Sequence, residues 1–212
     1  MEKGKQESPV EITEDDLRQA LEVLDGGGVV AFPTETYYGL AVDPFNQAAL
    51  SRLFALKRRA PDKPVLVLIS DPAQLAELVV DIPPPFKLLM DRLWPGPLTL
   101  VFKGLPTIPD ILTGYSGTLG VRISSHPIAM RLAAAAGRPI TATSANFSGR
   151  PAAVNADGVI DQLGPDVDFI LDGGETPGGN GSTIVGIDEE RVVLIRSGVI
   201  PFENILDLLD PR

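Results

Sequence analysis

Residues 48–69 read AALSRLFALKRRAPDKPVLVLI, and they place a helix pattern, a basic cluster and a strand pattern in direct succession. Apolar residues at helical spacing predict an amphipathic helix over residues 48–57, with a stripe made of Leu50, Leu53, Phe54 and Leu56. The helical pattern ends before Pro61, because a residue that precedes proline avoids helical geometry. Residues 65–69 form a short apolar run, which is typical of a buried strand. The stretch therefore predicts one helix-to-strand unit of an α/β fold.

The same alternation continues on both sides of this stretch. Thr13 and Asp16 have the spacing of a capping box for a helix through Leu24, which the glycines at 26–28 would end before a strand at 29–32. Asp71 is a candidate cap for a short helix. Further helices are predicted at residues 86–93, 127–136 and 156–163. Further strands are predicted at residues 98–102, 119–123, 140–142, 169–171, 183–187 and 192–196.

This order of elements predicts an α/β fold with a single domain, a twisted mixed parallel and antiparallel sheet, and helices on the faces of the sheet. Residues 1–10 are expected to be a flexible N-terminal segment, and residues 11–212 to form the domain. The chain contains no internal repeat and no low-complexity linker that would divide it.

Composition narrows the classes of chemistry that the chain can perform. The absence of cysteine excludes disulfides, thiolate zinc sites and a cysteine nucleophile, and a single histidine argues against a Ser-His-Asp triad or a multi-histidine metal centre. A formal net charge of -10 argues against general nucleic-acid affinity. No apolar run reaches the ~20 residues of a membrane span, and the first ten residues do not resemble a secretory signal. A cytoplasmic protein without membrane association is therefore expected.

A basic cluster stands out against this acidic background. Lys57, Arg58, Arg59 and Lys63 place four positive charges in seven residues, whereas 18 Lys and Arg in the whole chain would give about 0.6 by chance. One interpretation is an anion-binding site. The other is a solvated helix end, whose positive charges complement the helix dipole.

Polar segments that follow predicted strands are candidates for a binding site, because open α/β sheets hold ligands at strand ends. These segments are residues 33–40, an arginine within a strand at Arg122, the loop at 141–151, the glycine-rich run at 178–183, and Arg196. Each has a structural alternative, such as a capped turn, an internal ion pair of Arg122, or a plain surface loop. His126 and Trp94 are interpreted as structural residues.

Two short motifs carry a family resemblance. Lys57-Arg58-Arg59 and Ser144-Ala145-Asn146 match a split Lys-x-Arg and Ser-x-Asn signature. Residues 32–40, 94–97, 121–122, 126–127 and 182–184 match in the same order. Over about residues 12–200 the chain resembles the YrdC-type threonylcarbamoyl-AMP synthase family, specifically its short, single-domain type. The resemblance implies a YrdC-like fold and a single YrdC-like catalytic domain over residues 11–212.

The resemblance also implies an activity. The expected enzyme is a nucleotidyltransferase that makes L-threonylcarbamoyladenylate and pyrophosphate from L-threonine, bicarbonate and ATP, for threonylcarbamoyladenosine modification of tRNA. Mg2+ would arrive with ATP, without a metal site of the protein. The labile product would pass to a separate threonylcarbamoyl-transferase complex, and direct contact with tRNA is possible. The alternatives are a module of the same fold that binds double-stranded RNA or tRNA, and a poorly active paralogue.

Site residues follow from the same resemblance. Lys57 and Arg59 would be catalytic and offset charge on the phosphates. The residues implied for ATP are Lys57, Pro61, Thr118, Ser144, Asn146, Ala152 and Arg196. The residues implied for threonine are Thr34, Arg122 and Ala142, with Arg122 as the anchor for the carboxylate. The chain departs from its relatives at Tyr37, Ala41 and Leu68, where Val, Gly and His are common; Leu68 would leave one threonine contact unmade.

Overall fold

The computed structural model describes residues 11–210, and the predicted N-terminal segment at residues 1–10 lies outside the described residues. The helices are α1 (Glu14–Asp25), α2 (Gln47–Lys57), α3 (Pro84–Leu93), α4 (Asp110–Thr113), α5 (Pro127–Ala136), α6 (Ala156–Leu163) and α7 (Phe202–Leu209). The strands are β1 (Val30–Pro33), β2 (Tyr38–Ala41), β3 (Val67–Leu68), β4 (Leu98–Lys103), β5 (Thr118–Arg122), β6 (Ile140–Thr141), β7 (Thr143–Ser144), β8 (Phe169–Ile170), β9 (Thr183–Asp188) and β10 (Arg191–Arg196). Two 3-10 turns span Pro72–Glu77 and Gly164–Asp166.

The predicted α/β class with mixed strand pairing is confirmed, and the strands divide between two sheets. One sheet has the order β7-β2-β1-β8 and the other the order β10-β9-β4-β5-β3-β6. Parallel pairs join β1 to β8, β3 to β5 and β4 to β9, and the remaining pairs are antiparallel. The division arises because β6 pairs with β3 while β7, one residue later, pairs with β2.

Thr141 joins the two sheets at this crossing. Its backbone N donates to the carbonyl of Val42 over 3.0 Å, and its hydroxyl donates to the carbonyl of Leu40 over 3.1 Å. The same hydroxyl accepts from the N of Val42 at 2.9 Å. Thr141 is fully buried, so these bonds are protected from competition by water.

Apolar residues on opposite faces of the same strands build two core clusters. In β1, Ala31 belongs to one cluster, whereas Val30 and Phe32 belong to the other, as the two-residue period of a strand requires. In β3, Val67 and Leu68 divide in the same way. Helices α1 and α5 pack together beside the second cluster. No helix within residues 11–210 has the length and apolar character to cross a membrane.

Local signals in the sequence are confirmed at the helix starts. Asp16 N donates to the hydroxyl of Thr13 over 3.1 Å, and Thr13 N donates to the Asp16 carboxylate over 2.8 Å, which completes the capping box. His126 caps α5 by accepting from the N of Ile128 at 3.3 Å. Trp94 packs against the core and donates from its indole N to the carbonyl of Leu98 over 2.7 Å. The structural roles predicted for both residues are confirmed.

Candidate active site

A cavity of about 690 Å³ is lined by residues from both sheets and from the loops beside them. It brings together nine of the residues that the resemblance implies, from positions 34 to 196 of the chain. These are Thr34, Arg59, Thr118, Arg122, Ala142, Ser144, Asn146, Ala152 and Arg196. The other two, Lys57 and Pro61, are not among the lining residues.

Lys57 is buried beneath the cavity wall. The side chain is 1% exposed, and its ammonium donates to the backbone carbonyls of Ser144 and, over 2.9 Å, of Asn146. Burial first, and then the positive charge of Arg59, lower the pKa of Lys57 from 10.5 to about 7. The structure thus joins the two halves of the split signature, but it directs the Lys57 ammonium at the loop backbone. These two carbonyls take two of the three donors of the ammonium, and the expected role of Lys57 at the phosphates stays a prediction.

Asn146 closes the loop that Lys57 supports. Its side-chain N donates to the carbonyls of Phe147, over 2.9 Å, and Arg150, over 2.6 Å. The hydroxyl of Ser144 donates to the Asn146 side-chain oxygen over 2.5 Å. These bonds hold the Ser-x-Asn segment in one conformation with both residues on the cavity wall.

Only part of the basic cluster faces the cavity. Arg59 lines it while donating from Nε and Nη2 to the carbonyls of Lys63 (3.1 Å) and Pro64 (2.7 Å). Burial first, then the charge of Arg196, lower the pKa of Arg59, and Asp62 opposes this shift. Lys63 also lines the cavity, although no local pattern distinguishes it from a solvated lysine.

Arg58 departs from its neighbours in conformation and in contact. It ends α2 in the left-handed region, with φ at 50°, and its guanidinium stacks over the ring of Phe147 at 4.5 Å. Arg150 approaches the same ring at 5.8 Å and lines the cavity. For Arg58, the helix-end interpretation is therefore the one that fits.

Arg122 lies in β5 and is 4% exposed. Its Nη1 lies 3.5 Å from the carboxylate of Glu35, whose second oxygen accepts from the hydroxyl of Ser124. Burial lowers the pKa of Arg122, and the charge of Glu35 opposes that shift. Its Nε has no hydrogen-bond partner among the described residues. Arg122 thus forms an internal ion pair and also lines the cavity. Glu35 was not predicted as its partner. The only signal in the sequence was the position of Glu35 between two threonines.

Thr34 and Arg196 line the same cavity as Arg122. The Thr34 hydroxyl donates to the carbonyl of Tyr37 over 2.6 Å, which fixes the turn after β1. Arg196 lies at the more exposed edge, where its Nη2 donates to the carbonyl of Ser182 over 2.8 Å. The Ser182 hydroxyl bonds to that of Thr99 over 2.8 Å, so the glycine-rich run ends at a fixed point.

The cavity has a strongly positive lining. Its charged lining residues are all basic, namely Arg59, Lys63, Arg122, Arg150 and Arg196. Within residues 11–210 there is also no group of three or more His, Asp or Glu residues that could hold a metal ion. Such a cavity, in a chain of net charge -10, suits a ligand that carries several negative charges.

Ala41 and Leu68 do not line the cavity themselves, although Leu68 pairs in register with the lining residue Arg122. Both side chains are buried in the second core cluster, and neither is among the lining residues. Tyr37 does line the cavity. Leu68 is 1% exposed and lies between Arg122 in β5 and Ile140 in β6.

Comparisons with known proteins agree with this architecture. The Sua5/YciO/YrdC family model, described as "Telomere recombination", matches residues 22–198. The chain is 40% identical to a threonylcarbamoyl-AMP synthase of Pyrococcus abyssi, over 89% of this chain and 56% of the relative. It is 37% identical to one of Vibrio cholerae, over 87% of this chain and 98% of the relative. A Bacillus subtilis relative is 39% identical and 57% covered, so the chain spans little more than half of two of these proteins.

Solved structures give the same result. The crystal structure of P. abyssi Sua5 complexed with L-threonine matches with a TM-score of 0.90 and 38% identity, over 94% of this chain and 59% of that one. Escherichia coli YciO matches with a TM-score of 0.83 and 26% identity, over 93% and 96% of the two chains. The family predicted from the two short motifs is confirmed, and the chain belongs to the Sua5/YciO/YrdC family.

Proposed function

We propose that this chain is an L-threonylcarbamoyladenylate synthase, a nucleotidyltransferase that forms threonylcarbamoyl-AMP and pyrophosphate from L-threonine, bicarbonate and ATP. The observation that carries the proposal is one cavity in which Arg122 is buried at 4% exposure while four further cations line the walls. Support comes from relatives that are named threonylcarbamoyl-AMP synthase, and from a neighbouring structure that is a complex with L-threonine.

The proposed chemistry needs anion stabilisation more than it needs a covalent nucleophile. The threonine amine and bicarbonate combine to a carbamate with loss of water. A carbamate oxygen then attacks the α-phosphorus of ATP, and the bond to the β-phosphate breaks to release pyrophosphate. A positive cavity lowers the free energy of the charge that builds up on the phosphates, and walls that exclude water protect the unstable carbamate.

On the threonine side, Arg122 would bind the carboxylate. Its guanidinium is planar and can donate two parallel hydrogen bonds, and its Nε is unoccupied by the described residues. The ion pair with Glu35 would hold the guanidinium in place. Thr34, whose hydroxyl bonds to the carbonyl of Tyr37, would form the wall beside the amino acid. Ala142 would expose its backbone to the amino acid, because its side chain is small.

On the ATP side, Arg59 and Arg196 would offset phosphate charge. The loop that carries Ser144 and Asn146 would form part of the ATP site. Lys57 would support this loop through its hydrogen bonds to the carbonyls of Ser144 and Asn146. Thr118 and Ala152 line the same cavity, whereas Pro61 is exposed on the connection to β3. Mg2+ would enter as part of the ATP substrate, since the charged lining residues are all basic.

Discrimination between threonine and similar amino acids is a further requirement of the proposed reaction. A site that hydrogen-bonds the threonine hydroxyl can reject valine strongly, because a buried polar group would be left unpaired. One methyl group separates serine from threonine by only about 10 to 200-fold. Serine is therefore the competitor expected to react most readily.

The wider role is part of the same proposal. The product would be used by a separate threonylcarbamoyl-transferase complex that modifies tRNA, and the reaction would take place in the cytoplasm. Direct contact with tRNA is not needed for the chemistry in the cavity.

The decisive test is pyrophosphate release from ATP by the purified chain. Release is expected only when L-threonine and bicarbonate are both present, and the nucleotide product should carry the threonylcarbamoyl group by mass spectrometry. Equal release without threonine would refute the assignment. Release that needs threonine but is very slow would support the poorly active paralogue instead.

A pair of variants connects this activity to the cavity. Arg59→Ala should lower turnover at least tenfold, because it removes a charge from the phosphate side. Arg92→Ala removes an exposed arginine of α3 and should leave turnover unchanged. Circular dichroism should show both variants folded; if Arg59→Ala lost activity only by unfolding, the role of Arg59 would be structural.

A further inference from the structure

A glycine-rich strap, residues 176–181, ends at the cavity, where Gly181 is one of the lining residues. It connects the region of the turn at residues 34–37 to the wall that carries Arg196. Backbone hydrogen bonds tie it at three points, which are Thr176 N to Val154 O (2.8 Å), Gly178 N to Thr36 O (2.7 Å) and Val199 N to Gly181 O (2.9 Å).

Tyr37 makes a fourth tie, and it does so with a side chain that lines the cavity. Its hydroxyl donates to the carbonyl of Gly179 over 2.6 Å. Its ring also lies beside the strap, because a Cβ placed on Gly178 would be 3.8 Å from the ring edge. Tyr37 therefore supports the strap both by packing and by a hydrogen bond.

The strap has little of its own to fix its shape. Gly178 and Gly179 have φ angles of 65° and 75°, in the left-handed region that glycine adopts without strain. A Cβ placed on Gly179 would meet nothing within 4 Å, so no neighbour packs against that point. At Gly179, where no neighbour packs, the bond from the Tyr37 hydroxyl has a large share in holding the strap.

The far end of the strap lies next to Arg196. A Cβ placed on Gly181 would lie only 3.1 Å from Nη2 of Arg196, so the guanidinium rests against the strap backbone. The same Nη2 donates to the carbonyl of Ser182, the next residue. A shift of the strap would therefore change the surface on which the Arg196 guanidinium lies.

We propose that Tyr37 is a positioning residue whose hydroxyl latches the strap and so holds Arg196 in its place at the phosphate side. The identification of ATP as the ligand rests on the proposed function. The latch itself rests on the hydrogen bond to Gly179 and on the contact between Gly181 and Arg196.

Tyr37→Phe tests the latch because it removes the hydroxyl and keeps the ring. The loss of one hydrogen bond should raise the Kd for ATP, measured by calorimetry, about 3 to 10-fold, with KM raised equally and kcat changed less than about twofold. Hydrogen exchange at the amides of Thr176 and Gly178, which donate to the carbonyls of Val154 and Thr36, should become faster in the ligand-free variant. Tyr115→Phe is the matched control, since Tyr115 is 65% exposed, and it should match the wild type in both measurements.

The proposal is overturned if Tyr37→Phe binds ATP as tightly as Tyr115→Phe does. It is also overturned if kcat falls while ATP affinity and hydrogen exchange stay unchanged. The first result does not depend on the assignment of the reaction, because binding and exchange are measured without turnover. A failure of the proposed function would be seen separately, as wild-type pyrophosphate release that does not need threonine.

Discussion

Lys57 is a charged residue on the buried face of an otherwise apolar helix stripe. It follows Leu53 by four positions and Phe54 by three, so helical geometry places it beside these core residues. Its ammonium is retained there because the carbonyls of Ser144 and Asn146 replace the water that burial removes. The spacing from Leu53 and Phe54 can be read from the sequence, and it places Lys57 on the buried face of α2. Arg58 is exposed.

The lowered pKa of Lys57 predicts a pH dependence of stability. Between about pH 7 and pH 10.5 the unfolded chain holds a proton on Lys57 that the folded chain has lost, so the free energy of unfolding rises with pH. In Lys57→Met this contribution is absent. From pH 7 to about pH 9.5, the wild type should gain roughly 2 to 3 kcal/mol relative to the variant in urea unfolding.

The control for this measurement is Lys87→Met, which changes an exposed lysine in the middle of α3. Its unfolding free energy should follow the wild type across the same pH range. Identical pH slopes for the wild type and Lys57→Met would contradict the prediction.

Most elements could be predicted from local patterns, and those that could not depend on distant partners. Helices α2, α5 and α6 begin and end within about one residue of the prediction. Strand β2 was missed, because Tyr38 and Gly39 follow a polar turn and no local pattern identifies a strand. Gly39 is needed there, since a Cβ would lie 3.1 Å from the ring of Phe32 in β1.

The remaining differences have similar causes. Strand β7 has only two residues and is defined by its pairing with β2. Helices α4 and α7 are short and begin after prolines, and neither was predicted. The predicted strand at 65–69 shortens to Val67–Leu68, because Val65 N bonds to the carbonyl of Leu112 next to the sheet. For the site, motifs predicted which residues meet, but not the orientation of Lys57 or the partner of Arg122.

At the scale of one element, the capping box of α1 predicts a local contribution to stability. Thr13→Ala should lower the free energy of unfolding by roughly 1 kcal/mol, because the N of Asp16 loses its acceptor. Thr13→Ser keeps the hydroxyl and should stay close to the wild type. The KM for ATP should be unchanged in both variants; a large change in KM for Thr13→Ala would contradict a purely local role.

For the whole molecule, the distribution of charge separates nucleotide binding from general nucleic-acid binding. The chain has a net charge of -10, and five of its 18 Lys and Arg residues line one cavity, where Arg122 is buried. Binding to a nucleic-acid backbone requires a broad basic face that releases counterions. A small polyanion therefore suits this arrangement better than an RNA duplex does.

This distribution makes a measurable prediction. At both about 50 mM and about 200 mM salt, the purified chain should bind ATP more tightly than it binds tRNA, as measured by calorimetry and filter binding. Arg92→Ala should behave as the wild type does toward both ligands. If tRNA bound more tightly than ATP, with a steep loss of affinity in salt, the RNA-binding alternative would be favoured.

The crossing of the chain at Thr141 has a mechanical consequence. Thr141 belongs to β6, and its three hydrogen bonds connect it to Leu40 in β2 and to Val42 just after β2. The two sheets therefore cannot slide past each other without breaking these buried bonds. The next three residues, Ala142, Thr143 and Ser144, line the cavity, so we expect this part of the cavity wall to move little when a molecule enters or leaves.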